Sequence, residues 1–269
     1  SQIDNALVKE LPLDYHEGSN LQQDKATEVF YLNEELTTQL LTQCYKAYNT
    51  EINDILLTGL AQSLKEVLGV GKSLIKLEAH GREQIGSDID ITRTVGWFTA
   101  LYPVVLNLTE NKDAIRQLIE VKENLHRVPN KGIGYGVLRY LAQKNYTQAP
   151  QIMFNYLGDF GSGVTTEQGS QLFEFSGNYR GKEHADKMQR EFVLGVLGLI
   201  VGGKLKLAVE YSSKQYAAET IQKITASYEQ RLKYFIEELS TEKKAQLTPV
   251  DLTYKGLSIE QLQELNSLI

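Results

Sequence analysis

Hydrophobic positions along the chain recur with two different periods, and the changes between them mark its elements. Ile52, Leu56, Leu60, Leu64 and Val67 fall at helical steps, with Asn49 or Thr50 placed to cap the run and Gly69 to stop it. Ile115, Leu118, Ile119, Lys122 and Leu125 mark a second helix over Lys112 to Arg127. The longest amphipathic pattern runs from Ala217 to Leu239 through Ile221, Ile224, Tyr228, Leu232 and Phe235. Glu34 to Tyr48 also reads as helical, with Cys44 a small residue on its face. Elsewhere the period drops to two. Val29 to Leu32, Leu74 to His80, Leu101 to Leu108, Ile152 to Leu157, Phe192 to Val201 and Lys204 to Ser212 read as strands. Pro103 suits an edge strand or a strand start. Gly202-Gly203 is a two-residue hairpin turn.

Strands and helices mix without regular alternation and without an internal repeat. This predicts an α/β fold of the α+β kind, with helices packed on one side of a mixed sheet. Residues 1–27 are polar and poorly periodic, as in a linker or surface strap, so the folded unit is expected over 28–240. After Ser240 the chain turns polar again over 241–269, where Ser258 and Gln261 form a capping box for a short helix.

Composition narrows the function classes. The 269 residues are 42% hydrophobic and 23% charged, and their net charge of -6 is spread in both signs along the chain. No basic block or aromatic-basic repeat points to nucleic acid. A single cysteine excludes an internal disulfide, and no histidine pair has metal-ligand spacing. No apolar run reaches membrane-spanning length and no signal peptide is evident, so a cytoplasmic location and no membrane partner are expected. A first residue that is serine rather than methionine suggests a fragment.

Candidate chemistry gathers in four short segments. On a strand over Leu74 to His80, Leu74, Lys76, Glu78 and His80 share one face, and Ile75, Leu77 and Ala79 the other. A solvated face of a half-buried sheet is the simpler account of that pattern. The functional account makes Glu78 a base at the mouth of a cleft, with Arg82 nearby to position it. Trp97 and Phe98, beside Gly96, read as core or loop packing. The Pro129–Gly136 loop holds Gly132, Gly134 and Gly136 but lacks the Lys-Ser/Thr ending of a phosphate loop, so it reads as a close backbone approach. Asn155 and Tyr156 face opposite ways on a regular strand, which lets only one of them enter a given cleft. His126 ends a helix, where its charge suits the dipole.

These segments resemble the signature motifs of epimerization domains of nonribosomal peptide synthetases, within the condensation-domain superfamily. Residues 78–83 match E-G-H-G-R-E with Ala79 replacing a glycine. Residues 93–103 match R-T-V-G-W-F-T-x-x-Y-P without a break, 129–136 match P-x-x-G-x-G-Y-G, and 154–158 match F-N-Y-L-G. Residues 49–57 resemble an earlier helix motif, and the likeness spans about residues 25 to 240.

The resemblance implies a chloramphenicol-acetyltransferase-like lobe, one of two lobes in a V with the catalytic tunnel between them. It implies that a peptidyl carrier protein delivers an aminoacyl or peptidyl thioester on phosphopantetheine, with no cofactor bound by this chain. A base removes the alpha proton, and reprotonation from the opposite face gives the D residue. By position, Glu78, Asn155 and Tyr156 match catalytic residues. Arg82 and His80 match substrate-positioning positions, His80 being taken as structural. Gly81, Arg93, Gly96, Trp97, Tyr102, Gly132, Gly134 and Gly136 are motif residues. The family's second catalytic group lies in an H-H-x-x-x-D motif of the N-terminal lobe, and no two histidines are adjacent here. The chain is therefore expected to be a C-terminal lobe, with 1–27 leading in from the other lobe, and to be inactive alone. Competing expectations are a condensation-type or inactive relative that only docks carrier proteins, and a stand-alone acyltransferase-like binding protein. A trimeric acetyltransferase fits less well, since its histidine motif is also missing.

Overall fold

A computed structural model of the chain describes residues 8–84, 90–110, 112–159, 181–242, 244–254 and 256–267. The first seven residues of the predicted strap lie outside them. Six strands form one mixed sheet: β1 (Lys25–Tyr31), β2 (Lys72–Ala79), β3 (Ala100–Asn107), β4 (Ile152–Asp159), β5 (Leu194–Val201) and β6 (Lys204–Ser212), in the order β1-β6-β5-β4-β2-β3. β4 runs parallel to both β2 and β5, and the remaining pairs are antiparallel. β3 is an edge, which is where Pro103 does no harm. β5 and β6 form the predicted hairpin, with Gly202 and Gly203 at φ 56° and 74°.

The helices are α1 (Glu34–Thr42), α2 (Tyr45–Tyr48), α3 (Ile52–Leu68), α4 (Ala114–His126), a three-residue α5 (Gly134–Gly136), α6 (Ala218–Thr241) and α7 (Ile259–Ser267). The expected single helix over Glu34 to Tyr48 is broken before Cys44, which is buried at the joint. α3 and α6 cover one face of the sheet. Their apolar stripes meet Ile75, Leu77, Ile152, Phe154, Val196, Leu207 and Val209 in a single core. Tyr228 is fully buried there, its ring edge-on to Phe30 at 5.5 Å and its hydroxyl donating to the Leu56 carbonyl. Burying such side chains contributes roughly 1.5–3 kcal/mol each before entropy is counted.

Two predicted details differ. The cap of α3 is Glu51, because Asp54 one turn on reaches back to the Glu51 amide at 2.7 Å. Asn49 instead ends α2 in the left-handed region (φ 51°), and its side chain donates to Asp251. Lys122, placed on the apolar stripe of α4 by its spacing, is wholly buried, yet it is an ion-paired charge. Among the described residues no helix is long and apolar enough to cross a membrane.

Candidate active site

The strand alternation of β2 puts Ile75 and Leu77 in the core and leaves Lys76 and Glu78 on the sheet's other face. Glu78 stands near the C-terminal end of β2, opposite Leu101 of β3. On its other side, one rung beyond the last parallel pair Leu77–Phe154, lies Asn155 of β4, whose amide Nδ2 donates to Glu78 Oε2. Partial burial raises the Glu78 carboxyl above its ordinary range, against an opposing pull from Lys76. Lys76 is itself held by Glu191 at 2.5 Å and lies over the Phe192 ring.

A cavity of about 460 Å³ opens at the ends of β2 and β4, walled by Glu78, Asn155, Tyr156, Tyr102, Thr99 and His126 among others. Asn155 and Tyr156 both reach it. Their strand does alternate, with Tyr156 packed partly on the core, but the cavity wraps around the strand ends and meets both faces. The expectation that only one could enter a cleft is thereby corrected. Burial raises the Tyr156 hydroxyl and carries that of Tyr102 to about 12, so both stay protonated donors.

The segment after Glu78 acts on its neighbouring loop. Arg82 does not reach Glu78 as expected; its guanidinium donates to the carbonyls of Ile91 (2.6 Å) and Thr94 (2.9 Å) and stacks on Phe98 at 4.2 Å. Gly81 sits at φ 66°, and a Cβ there would lie 1.6 Å from the Phe98 carbonyl oxygen. The two motifs 78–83 and 93–103 are thus clamped to each other through Gly81, Arg82 and Phe98. His80 lines the cavity and is tied to this corner as well: its Nδ1 accepts from the Arg82 amide and its Nε2 lies 3.0 Å from Glu83.

Trp97 does not pack as expected. It is 91% exposed and Val95 is 99% exposed, because backbone contacts through Arg82 hold the loop without help from their side chains. Arg93 is exposed too, and Gly96 lies against the Phe98 ring. The glycine-rich loop makes its close approach at one residue only. Gly132, at φ 80°, faces the Tyr102 ring, where a Cβ would fall 2.1 Å from a ring carbon; Gly134 and Gly136 have no such neighbour and belong to a helical turn.

Sequence reasoning missed His126 as a cavity residue. Its Nε2 lies 3.0 Å from the buried carboxylate of Asp54, which raises the imidazole above its ordinary value against the effect of burial. The partners are 72 positions apart, and only the Asp54-bearing helix motif hinted at that wall. Among the described residues no cluster of three His, Cys, Asp or Glu could hold a metal ion.

Comparison with known proteins agrees with this architecture. The condensation-domain family model matches residues 2–257. Gramicidin S synthase 1 of Brevibacillus brevis is 40% identical over 276 residues, covering 99% of this chain and 25% of that protein. Tyrocidine synthase 2 of Brevibacillus parabrevis is 38% identical over 261 residues, covering 95% of this chain and 7% of its own length. Among solved structures, the epimerization domain from the third module of tyrocidine synthetase B superposes with a TM-score of 0.81 at 36% identity, over 89% of this chain and 54% of that one. The condensation domain of the Monacolin K polyketide synthase, at 15% identity and a TM-score of 0.60 over 88% of this chain and 54% of that one, shares the fold. The chain spans about a quarter or less of these two curated relatives and about half of the solved epimerization domain. With the family model spanning nearly all of its length, and a mixed sheet that superposes on an epimerization domain, the chain belongs to the condensation-domain family.

Proposed function

We propose that this chain is the C-terminal lobe of a nonribosomal peptide synthetase epimerization domain and supplies one side of its proton-transfer site. The observation that carries the reading is Glu78: a half-buried carboxylate with raised proton affinity, held by Asn155 in the wall of a 460 Å³ cavity. A carboxylate so placed is a stronger base than one in water, and its proton affinity moves toward working pH.

The substrate is an aminoacyl or peptidyl thioester on the phosphopantetheine arm of a carrier protein. Glu78 takes the alpha proton, the C–H electron pair passes into the thioester carbonyl, and an enolate forms. A protonated group on the opposite face then returns a proton to the alpha carbon, giving the D residue. Glu78 is left protonated, and loses that proton to solvent or in the reverse reaction. Asn155 keeps the carboxylate aimed, and the neutral Tyr156 and Tyr102 hydroxyls are donors available to the developing oxyanion. On this reading the opposite group is a histidine of an N-terminal lobe, as the resemblance to epimerization domains implies. Arg82 and Gly81 serve indirectly by fixing the 91–98 loop beside the cavity.

The test is Glu78→Gln in a two-lobed domain containing this chain, read as deuterium incorporation at the alpha carbon of a loaded carrier. Loss of a proton-transfer residue is expected to slow exchange about 10²-fold or more. Exchange at the parent rate would sink the assignment. One second reading is a domain that docks carriers without chemistry. It predicts carrier binding with no exchange in either variant.

A further inference from the structure

The sheet face that carries Glu78 also carries a second cavity, of about 470 Å³, that the proton-transfer chemistry does not use. Its floor is the outer face of β2 and β3. Leu101, the cross-strand partner of Glu78, and Pro103, the partner of Lys76, both line it. The chain around Gly132 passes over edge strand β3. Gly132 touches Tyr102 on the core side, and the following residues Ile133 and Val137 close the cavity on the outer side. Phe98 and Phe192 add aromatic walls, one face of each ring carrying the Arg82 and Lys76 cations respectively.

Two observations tie this cavity to Glu78. Directly opposed side chains in an antiparallel pair have Cβ atoms about 4.5–5.5 Å apart, so the Leu101 end begins beside the base. Thr99 lines both cavities. At the rim, Lys76 is paired with Glu191 at 2.5 Å, and Arg139, exposed at the outer edge, donates to the neutral Tyr135 hydroxyl at 2.8 Å. The volume lies in the range of about 300–1,000 Å³ occupied by small-ligand pockets.

We infer that this cavity receives the side chain of the residue being epimerized, and that it selects a large apolar one, aromatic or branched aliphatic. The inference rests on the epimerization reading and adds its substrate class. With the alpha carbon at Glu78, the side chain passes Thr99 and Leu101 and lies along Pro103 toward Phe98 and Phe192. A charged side chain would lose its water over the apolar floor of Leu101 and Pro103.

The experiment titrates non-hydrolysable pantetheine amides of phenylalanine, leucine, alanine and aspartate into the chain by calorimetry. The phenylalanyl and leucyl amides are expected to bind roughly tenfold or more tighter than the alanyl and aspartyl amides. Val137→Trp, at a half-exposed wall position, should remove that advantage and leave the alanyl amide unchanged. Ala149→Leu fills the same space from the other side and guards against a folding defect in the first variant. Equal affinities, preference for aspartate, absent binding, or selectivity that survives both filling variants would each overturn the inference. The Glu78→Gln exchange test stands apart from these affinities. Equal affinities together with Glu78-dependent exchange refute the pocket alone. Absence of Glu78-dependent exchange refutes the epimerization reading, and the pocket's role falls with it.

Discussion

Burial of Glu78 couples its protonation to stability with a definite sign. Its carboxyl is raised from an ordinary value near 4.5 because burial penalises the charge more than Lys76 offsets it. Between that value and the raised one, the folded state binds more protons than the unfolded state, so stability falls as pH rises through the window. Glu78→Gln removes the penalty and keeps an acceptor for Asn155. The variant should therefore unfold at higher urea than the parent at pH 7, and the difference should vanish near pH 4. Parallel melts at the two pH values decide it, and a Gln variant less stable at pH 7 would contradict it. At Gly132 the expectation is purely steric. An alanine would need the left-handed region, at roughly 1–2 kcal/mol, and would drive its methyl into the Tyr102 ring. Gly132→Ala should cost about 2–4 kcal/mol, whereas Gly134→Ala, with open space and a helical backbone, should be neutral or slightly stabilising. Thermal melts of the pair measure the contrast. Nothing in the sequence separates these two glycines, because what distinguishes them is a ring contributed by a strand far upstream.

Elements were legible where one period governs them, and illegible where a contact between elements decides. β2 and α6 follow their alternation and their stripe to within two or three residues, since each buries one continuous face. The part of the 93–103 segment before Leu101 has no period, and reading Trp97 as core or loop packing failed because aromatic character alone does not say whether a neighbour covers it. The joint between α3 and α4 was hidden in the same way. His126, in the last turn of α4, is charged at low pH against Asp54 in the first turn of α3, a placement that also suits both helix dipoles. Asp54 and Glu51 raise its pKa, while burial and Lys122 lower it. Lys131, paired with Glu51 at 3.5 Å, lines the same cavity. With the folded pKa above 6.5, the pair's contribution is fully present below pH 6.5 and is lost as pH rises through the raised value. His126→Gln should thus be less stable than the parent at pH 5.5 and approach it in mildly alkaline buffer. A stability gap that does not change with pH would show the contact to be packing alone.

Across the whole molecule, two long-range features set what the chain can do by itself. The first is Lys122, whose ammonium donates to the Tyr48 carbonyl, Thr248 Oγ1 and Asp251 Oδ2, while Glu123 accepts from the Val250 amide. These bonds fasten residues 248–251 onto α4. Lys122→Met should cost about 3–5 kcal/mol by leaving the Asp251 charge buried without its partner, which denaturant melts would register. The second is the one-sidedness of the proposed site. On the proposed reading Glu78 removes a proton from one face of an alpha carbon and inversion needs a donor on the other; the resemblance to epimerization domains implies a donor in an H-H-x-x-x-D motif, which these 269 residues do not contain. The cavity at Glu78 is open to solvent, and Val95 and Trp97 in the segment that leads to its lining residue Thr99 are uncovered. The enolate would therefore form in a wet, half-walled site, where donors contribute less than in a closed one. The chain alone should wash deuterium into a loaded aminoacyl carrier no faster than buffer does. The same residues joined to a lobe bearing paired histidines should exchange and invert the substrate, in a manner abolished by Glu78→Gln. Mass spectrometry of the released amino acid, with chiral separation, distinguishes exchange from inversion. Full-rate inversion by the 269 residues alone would place both proton-transfer groups within them, and His80 and His126, the imidazoles lining the cavity, would become the first residues to replace.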